Sequence, residues 1–313
     1  MAEGERPLNM NLPLEVGRHA QCGNREAVRD WLAAGGAPGA MTPSGYTLLN
    51  YASASSRPSC ASIAEILCKA GARDRQDGIC LSGAAIHGAL ETVRVLLRYG
   101  ASTSATTTNG MTALHHAVTA NDWRRYKDPW SVANARTAAT IGHQGIVRLL
   151  LKHGAAVDAS SNESNLTPLM VAAKFSGFIS LGVVRELLAA GANLNLVSTN
   201  GNNAEAIARK RLSVQVLGGQ GIPANLMHPR GRKPGAVEAF LELCAEVRTA
   251  GSWKRYVNAP RIDVIVLQRL CTAGRASPPP SLVRLFPTST KSPPLPKELV
   301  WTVLSFWRTD RDP

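Results

Sequence analysis

The sequence of 313 residues predicts an all-α solenoid, built from short helix-turn-helix repeats that stack on one another. Residues 142–158 (GHQGIVRLLLKHGAAVD) carry apolar side chains at helical spacing and then a glycine, and four further segments repeat this pattern. Turn signals separate the units. Such a helix is below the roughly 12–15 residues that persist in water, so we expect the helices to pack against copies of themselves.

The helix within 142–158 defines the repeat. Its apolar side should place Leu150 in the core and leave Arg148, Lys152 and His153 for water. Gly154 should end the helix, because a left-handed residue costs glycine little. The copies are 27–35 (AVRDWLAAG), 63–72 (IAEILCKAGA), 92–101 (TVRVLLRYGA) and 183–192 (VVRELLAAGA). The full-length copies supply equivalent structural glycines at Gly71, Gly100 and Gly191.

A second, small-residue helix precedes each copy, within 46–52 (YTLLNYA), 81–88 (LSGAAIHG), 112–117 (TALHHA) and 167–173 (TPLMVAA). The turn signals are Ser44-Gly45, Asp77-Gly78, Asn109-Gly110 and Asn200-Gly201. Subtraction of the residue numbers places Gly45 and Gly78 33 residues apart, and Gly78 and Gly110 32 residues apart. Ankyrin repeats have a period of about 33.

These motifs resemble the ankyrin family from about residue 16 to residue 250. The resemblance implies an ankyrin-repeat solenoid that recognises other proteins. It also implies a structural role for His115, at a position where the family's histidine usually hydrogen-bonds within its repeat. The second repeat departs from the pattern, since Ile79-Cys80 replaces Thr-Pro.

The repeat phase divides the chain into a flexible leader (1–15), an array (16–251) and a helical tail (252–313). In the array we expect a cap at about 16–44 and repeats at about 45–77, 78–109, 110–164, 165–199 and 200–251. The third repeat carries an insertion at 121–140, and the fifth carries a Gly/Pro-rich, flexible loop at 213–235.

Composition excludes several classes of protein. There is no run of about 18 apolar residues and no secretory signal at the start. The six cysteines stand singly, without disulfide or metal spacing, which indicates a reduced protein of the cytoplasm or nucleus. The net charge of +13 favours encounters with acidic partners.

No residue pattern predicts an enzyme or a cofactor. Four histidines could be proposed as a metal set, but no cysteine or carboxylate completes a ligand spacing, so the structural interpretation is favoured. They are His115, His116, His143 and His153. Residues 218–221 (GGQG) lack the Gly-Lys-Ser/Thr of a phosphate loop. We therefore predict no catalytic, cofactor-binding or metal-binding residues.

The insertion 121–140 combines large aromatic side chains with positive charge, as interface hot spots do. Its candidate partner-binding residues are Trp123, Arg124, Arg125, Tyr126 and Trp130. Two interpretations stay open with equal weight: the insertion binds a partner, or its tryptophans fold back onto the array as a local cover.

A cluster of basic residues brackets the loop 213–235, and it could contact phosphates or an acidic surface. Its members are Arg209, Lys210, Arg211, Arg230, Arg232 and Lys233. No aromatic residue interleaves with them to stack bases, so nucleic-acid binding is the less favoured interpretation.

The tail predicts a helix at Ile262–Cys271, begun after Pro260, then a Pro/Ser-rich linker and a second helix at Pro296–Trp307. It resembles the SOCS box of ankyrin-type ubiquitin-ligase adaptors. Leu267 and Cys271 match that family's elongin-binding helix, and residues 293–296 (PPLP) match three of four places of its cullin-binding motif. Val266 and Arg275 depart from the pattern. The same end is similar to the opening of an F-box (LPKELVWTVLSFW).

These observations lead to three hypotheses of function. The first is a substrate adaptor that binds a client protein on the array and a ubiquitin-ligase component through the tail. Its tail contacts would be Leu267, Cys271, Leu295, Pro296, Trp301 and Trp307. The second is a plain scaffold whose tail only caps the array, because terminal repeats need a polar cap. The third is a basic binder of nucleic acid or of an anionic surface.

Overall fold

A computed structural model describes residues 9–74, 78–119, 143–175, 181–216 and 235–272. The chain divides into two compact units, Met1–Leu241 and Glu242–Pro313. We describe each unit by itself. The elements of the first part of the chain are β1 (Asn9–Asn11), α1 (Leu14–Cys22), α2 (Arg25–Ala33), β2 (Gly36–Met41), α3 (Leu48–Ser53), α4 (Pro58–Lys69), α5 (Ile79–Ile86), α6 (Leu90–Arg98) and α7 (Ala113–Thr119). Further along are α8 (143–152), α9 (Pro168–Phe175), α10 (Leu181–Ala189), α11 (Ala204–Val216), α12 (Ala236–Ala250) and α13 (Trp253–Thr272).

The first unit is a stack of helix pairs. The first helices of successive pairs form one layer, in which each packs on the next: α1, α3, α5, α7, α9 and α11. In the second layer α2 packs on α4 and α4 on α6. Strands β1 and β2 pair in parallel beside the first pair. The core lies between the layers, and Ile146, Val147 and Leu150 of α8 are fully buried in it.

A polar cap begins the first-layer helix α3. Thr47 and Asn50 form a capping box, in which each side chain accepts the other's backbone N–H at 3.2 and 2.8 Å. The second repeat lacks this threonine. There the Asp74 carboxylate accepts the N–H groups of Cys80 and Leu81, at 3.1 and 2.9 Å. A carboxylate from the preceding turn thus compensates for the departure from the repeat pattern.

Glycines end the second-layer helices. Gly154 has a φ of 82°, and its N–H donates to the Leu151 carbonyl while Ala155 N–H donates to Leu150, both at 3.0 Å. This pair of bonds satisfies the last carbonyls of the helix. The same positive φ occurs at the other glycines predicted for this role, Gly71, Gly100 and Gly191.

Three boundaries differ from the sequence prediction. Residues 9–11 form β1, which pairs with β2, and α1 begins at Leu14, so both elements begin within the segment assigned to the leader. Helix α11 continues to Val216, into the segment predicted as a loop. Helix α13 begins at Trp253 rather than after Pro260. Ser252 caps it by accepting the Arg255 N–H at 3.2 Å, and Pro260 lies inside the helix.

The second unit contains the end of α12 and all of α13. The two helices are joined by Gly251, whose φ is 80°. Leu243, Val247 and Tyr256 are buried, and the ring of Trp253 lies 5.4 Å from that of Tyr256. Among the helices of the described ranges, none has the length and apolar character needed to span a bilayer.

Candidate partner-binding surfaces

Tight turns project from the stack before the first-layer helices. In the first repeat, Thr42 N–H donates to the Tyr46 carbonyl at 2.9 Å, and Gly45 N–H donates to Thr42 at 2.8 Å. Matching bonds close the turns Thr107–Met111 and Ser198–Asn202. In the fourth repeat Asn165 takes the glycine's place with a φ of 47°, which asparagine tolerates better than most residues. This turn was not among the predicted turns, because asparagine stands where glycine marks the others in the sequence.

The exposure of the residue that follows each turn decreases along the stack from the first repeat to the fourth. Tyr46 is 48% exposed, Ile79 is 38% exposed and Met111 is half-buried. Tyr46, Ile79 and Met111 occupy equivalent places on stacked repeats, so they follow one another at the helix spacing of about 8–10 Å. We call these three residues the apolar row. At the next equivalent place Leu166 is buried.

The turns of the third to fifth repeats are tied to one another. Asn162 N–H donates to the Asn109 carbonyl at 3.3 Å, and Thr199 N–H donates to the Ser164 carbonyl at 3.2 Å. Asn165 Nδ2 donates to the Val197 carbonyl at 3.3 Å. The three turns therefore form a fixed polar platform. The Asn, Ser and Thr content of 107–109, 161–165 and 198–203 was the signal in the sequence that could have indicated it.

His115 links two repeats. It is fully buried; its Nδ1 accepts the Thr112 N–H at 3.1 Å, and its Nε2 lies 2.9 Å from the Leu166 carbonyl of the next repeat. Since Nδ1 accepts, the proton is on Nε2, which donates to Leu166. Burial lowers the pKa of His115, and the hydrogen bond to Leu166 partly offsets that effect. These hydrogen bonds hold the imidazole neutral between two repeats.

A buried carboxylate joins α8 and α10. Glu186 is 7% exposed, and one of its oxygens accepts Arg148 Nε and Gln144 Nε2, each at 3.1 Å. The Arg148 terminal nitrogen contacts the same oxygen. The helical pattern predicts that Arg148 faces water. Its side chain is indeed largely exposed, but its guanidinium neutralises a carboxylate of the next repeat.

The second layer presents charged side chains in local pairs. Lys69 and Glu65 lie 3.1 Å apart, and Arg94 and Glu91 lie 3.4 Å apart, with all four side chains partly exposed. Exposed pairs of this kind contribute about 0–1 kcal/mol. This side of the stack therefore has the character of a solvated face.

Two buried cysteines, Cys60 and Cys68, are poor nucleophiles. Burial raises the pKa of Cys60, and it raises the pKa of Cys68 to about 11, so neither thiol forms the reactive thiolate at neutral pH. Over the described ranges, His, Cys, Asp and Glu side chains do not gather in a group of three or more that could hold a metal ion.

The remaining predicted site residues lie in or beyond the tail helix, or in the insertion. Leu267 is half-buried on α13, and Cys271 is in its last turn. Outside the described residues lie the insertion residues Trp123, Arg124, Arg125, Tyr126 and Trp130, and the tail residues Leu295, Pro296, Trp301 and Trp307. Leu150 and the four structural glycines lie in the array, as described above.

Comparison with known proteins identifies the repeats. Family models for ankyrin repeats match residues 81–125 (many copies) and residues 131–204 (three copies). The solenoid is therefore an all-α ankyrin-repeat array, and the predicted fold class is confirmed. Ankyrin repeats are protein–protein interaction modules. A search of curated proteins found no match.

Proposed function

We propose that this protein is a scaffold without catalytic activity, which binds a client protein through the apolar row. The exposure of Tyr46 and Ile79 carries the proposal, together with Met111 on the next repeat. A monomeric array gains nothing by presenting large apolar side chains to water at equivalent places. A partner that covered them would gain about 25 cal/mol for each Å² of apolar surface buried.

Affinity capture of cellular proteins by the full chain tests this role. The triple variant Tyr46→Ser, Ile79→Ser, Met111→Ser should lose partners that the native chain retains, while its melting temperature stays close to native. The matched control is Arg29→Ser, Arg94→Ser, Arg98→Ser, three exposed residues of the second layer. Equal capture by the native chain and the apolar-row variant would remove the proposal.

We propose further that the tail contacts a ubiquitin-ligase component, which would make the scaffold a substrate adaptor. Helix α13 supports this, because Val266, next to Leu267, is 48% exposed. Cys22, Cys60 and Cys68 are free thiols, which supports a reducing compartment, the cytoplasm or nucleus, where such ligases act. The alternative is that the tail only caps the array.

Co-purification with elongin-type and Skp1-type proteins distinguishes these two roles of the tail. Leu267→Asp in the full chain should abolish co-purification, whereas Lys254→Asp, at an exposed position of the same helix, should not. Absence of both ligase components from the native chain's complexes would favour the plain scaffold.

A further inference from the structure

A cleft of about 360 Å³ lies beside the turns of the fourth and fifth repeats, against α9 and α11. Its lining includes the apolar side chains of Leu166 and Ile207, and the polar side chains of Ser198, Asn200 and Asn202. Binding sites in proteins typically enclose about 300–1,000 Å³ and combine an apolar lining with a few polar groups. The cleft has this combination.

Two basic side chains line the cleft. Of the lining residues in the described part of the chain, the ionisable ones are Lys174 at the end of α9 and Lys210 on α11, and both are exposed. These two helices pack together, so the two lysines belong to neighbouring elements of one site. A lysine ammonium has three donors and no acceptor, and it pairs with carboxylates.

The polar side of the cleft is held in place before any ligand arrives. Thr199 donates to the Ser164 carbonyl through its backbone N–H at 3.2 Å and through its hydroxyl at 3.4 Å. Asn202 Nδ2 donates to the Asn200 carbonyl at 3.3 Å. A site with fixed walls loses little conformational entropy on binding, which favours affinity.

We propose that this cleft binds an acidic peptide segment of a client protein, with Asp or Glu side chains against Lys174 and Lys210 and one apolar side chain against Ile207. The proposal rests on the role as a protein-interaction scaffold and adds a second contact site to the apolar row. The net charge of +13 draws acidic partners toward the chain. The lining described here contains no aromatic side chain on which bases could stack, so a peptide fits the cleft better than single-stranded nucleic acid.

Fluorescence anisotropy with a labelled peptide tests the cleft directly. The probe is a peptide of alternating Glu and Asp around a central Leu, and its reference has Gln and Asn at the acidic positions. The full chain should bind the acidic probe more tightly than the reference. The double variant Lys174→Gln, Lys210→Gln should weaken binding of the acidic probe about five- to twentyfold, as expected for two partly exposed ion pairs.

The matched control is Lys152→Gln, Lys254→Gln, which removes the same charge at two exposed positions that are not among the described lining residues of the cleft. It should bind the acidic probe nearly as the native chain does. Equal weakening in both double variants would show a general charge effect and overturn the proposal. So would tight, lysine-dependent binding of a single-stranded thymidine oligonucleotide that displaced the peptide. Lys210→Glu supplies an independent check, since it should weaken the acidic probe further while a Lys-substituted probe gains affinity.

The tests of the two proposed sites are independent of each other. The apolar-row triple variant should still bind the acidic probe, and the Lys174→Gln, Lys210→Gln variant should still capture partners through the apolar row. If the native chain does not bind the acidic probe more tightly than the reference, but still captures partners through the apolar row, the cleft proposal alone is wrong. If the native chain binds the acidic probe as expected, but the native chain and the apolar-row variant capture the same partners equally, the proposed apolar-row contact alone is wrong.

Discussion

At the scale of single residues, His115 shows how one side chain connects two repeats. Its two ring nitrogens have different partners, Thr112 in its own repeat and the Leu166 carbonyl in the next. A protonated imidazole would carry a second N–H at Nδ1, directed at the N–H of Thr112. The native arrangement therefore requires the neutral ring, in agreement with the pKa of His115, which burial lowers.

This pKa predicts a pH dependence of stability. His115 takes up a proton more readily in the unfolded chain, where its pKa is near the ordinary value of 6.5, than in the folded chain. The contribution of His115 to stability is therefore retained above that value and is lost as the pH falls below it. Urea unfolding of native protein and His115→Gln, between about pH 7.5 and about pH 5, should show the steeper loss in the native protein. Parallel losses in the two proteins would contradict the assignment.

At the scale of elements, Glu186 joins α8 to α10. Glu186 is 7% exposed in the native array, and without Arg148 its carboxylate would keep, among the described side chains, the hydrogen bond from Gln144. The desolvation of an unpaired buried charge is costly, whereas replacement of both partners removes that cost. The effects of single and double replacements should therefore not add.

A double-mutant cycle measures this coupling. Arg148→Ala and Glu186→Ala should each destabilise the array, and the double variant should recover about 1 kcal/mol relative to their sum, measured by urea unfolding. The exposed pair Glu91 and Arg94 is the control, where we expect a coupling below about 0.5 kcal/mol. Equal coupling in the two pairs would mean that burial of Glu186 has no energetic consequence.

The insertion 121–140 is a further element with a testable role. If it binds a partner, Trp123→Ala and Trp130→Ala should leave the melting temperature nearly unchanged while capture of the client falls. If its tryptophans cover the array, each variant should lose about 3–5 kcal/mol of stability, as buried aromatic side chains do. Thermal melts and affinity capture on the same preparations distinguish the two roles.

At the scale of the whole array, the free energy of unfolding should be approximately the sum of a term for each repeat and a term for each interface between neighbouring repeats. Leu150 is fully buried, so Leu150→Ala should cost about 2–5 kcal/mol through the cavity that it creates. Hydrogen exchange should then lose protection mainly in α7 to α10, while α1 and α2 keep theirs. Lys152→Ala, at an exposed position of the same helix, should change stability by less than about 0.5 kcal/mol. Uniform loss of protection would indicate one cooperative unit instead.

The sequence by itself determined the fold class, the phase of the repeats and the glycine ends of the second-layer helices. These depend on helix periodicity and on φ, both local properties of a few adjacent residues. It also indicated the role of His115, through the position of that residue in the repeat motif. The observed boundaries differ from the predicted ones where a cap or a pairing strand sets them, as at Ser252 and β1.

Only the tertiary structure decided which surface positions are buried, paired or exposed. Tyr46 and Leu166 follow equivalent turns, yet Tyr46 is exposed and Leu166 is buried under its neighbours. The partners Arg148 and Glu186 are 38 residues apart in the chain, and Lys174 and Lys210 come from different repeats. Arg148 and Glu186 meet because neighbouring repeats stack, and the spacing between repeats is not encoded in the local sequence pattern of either one.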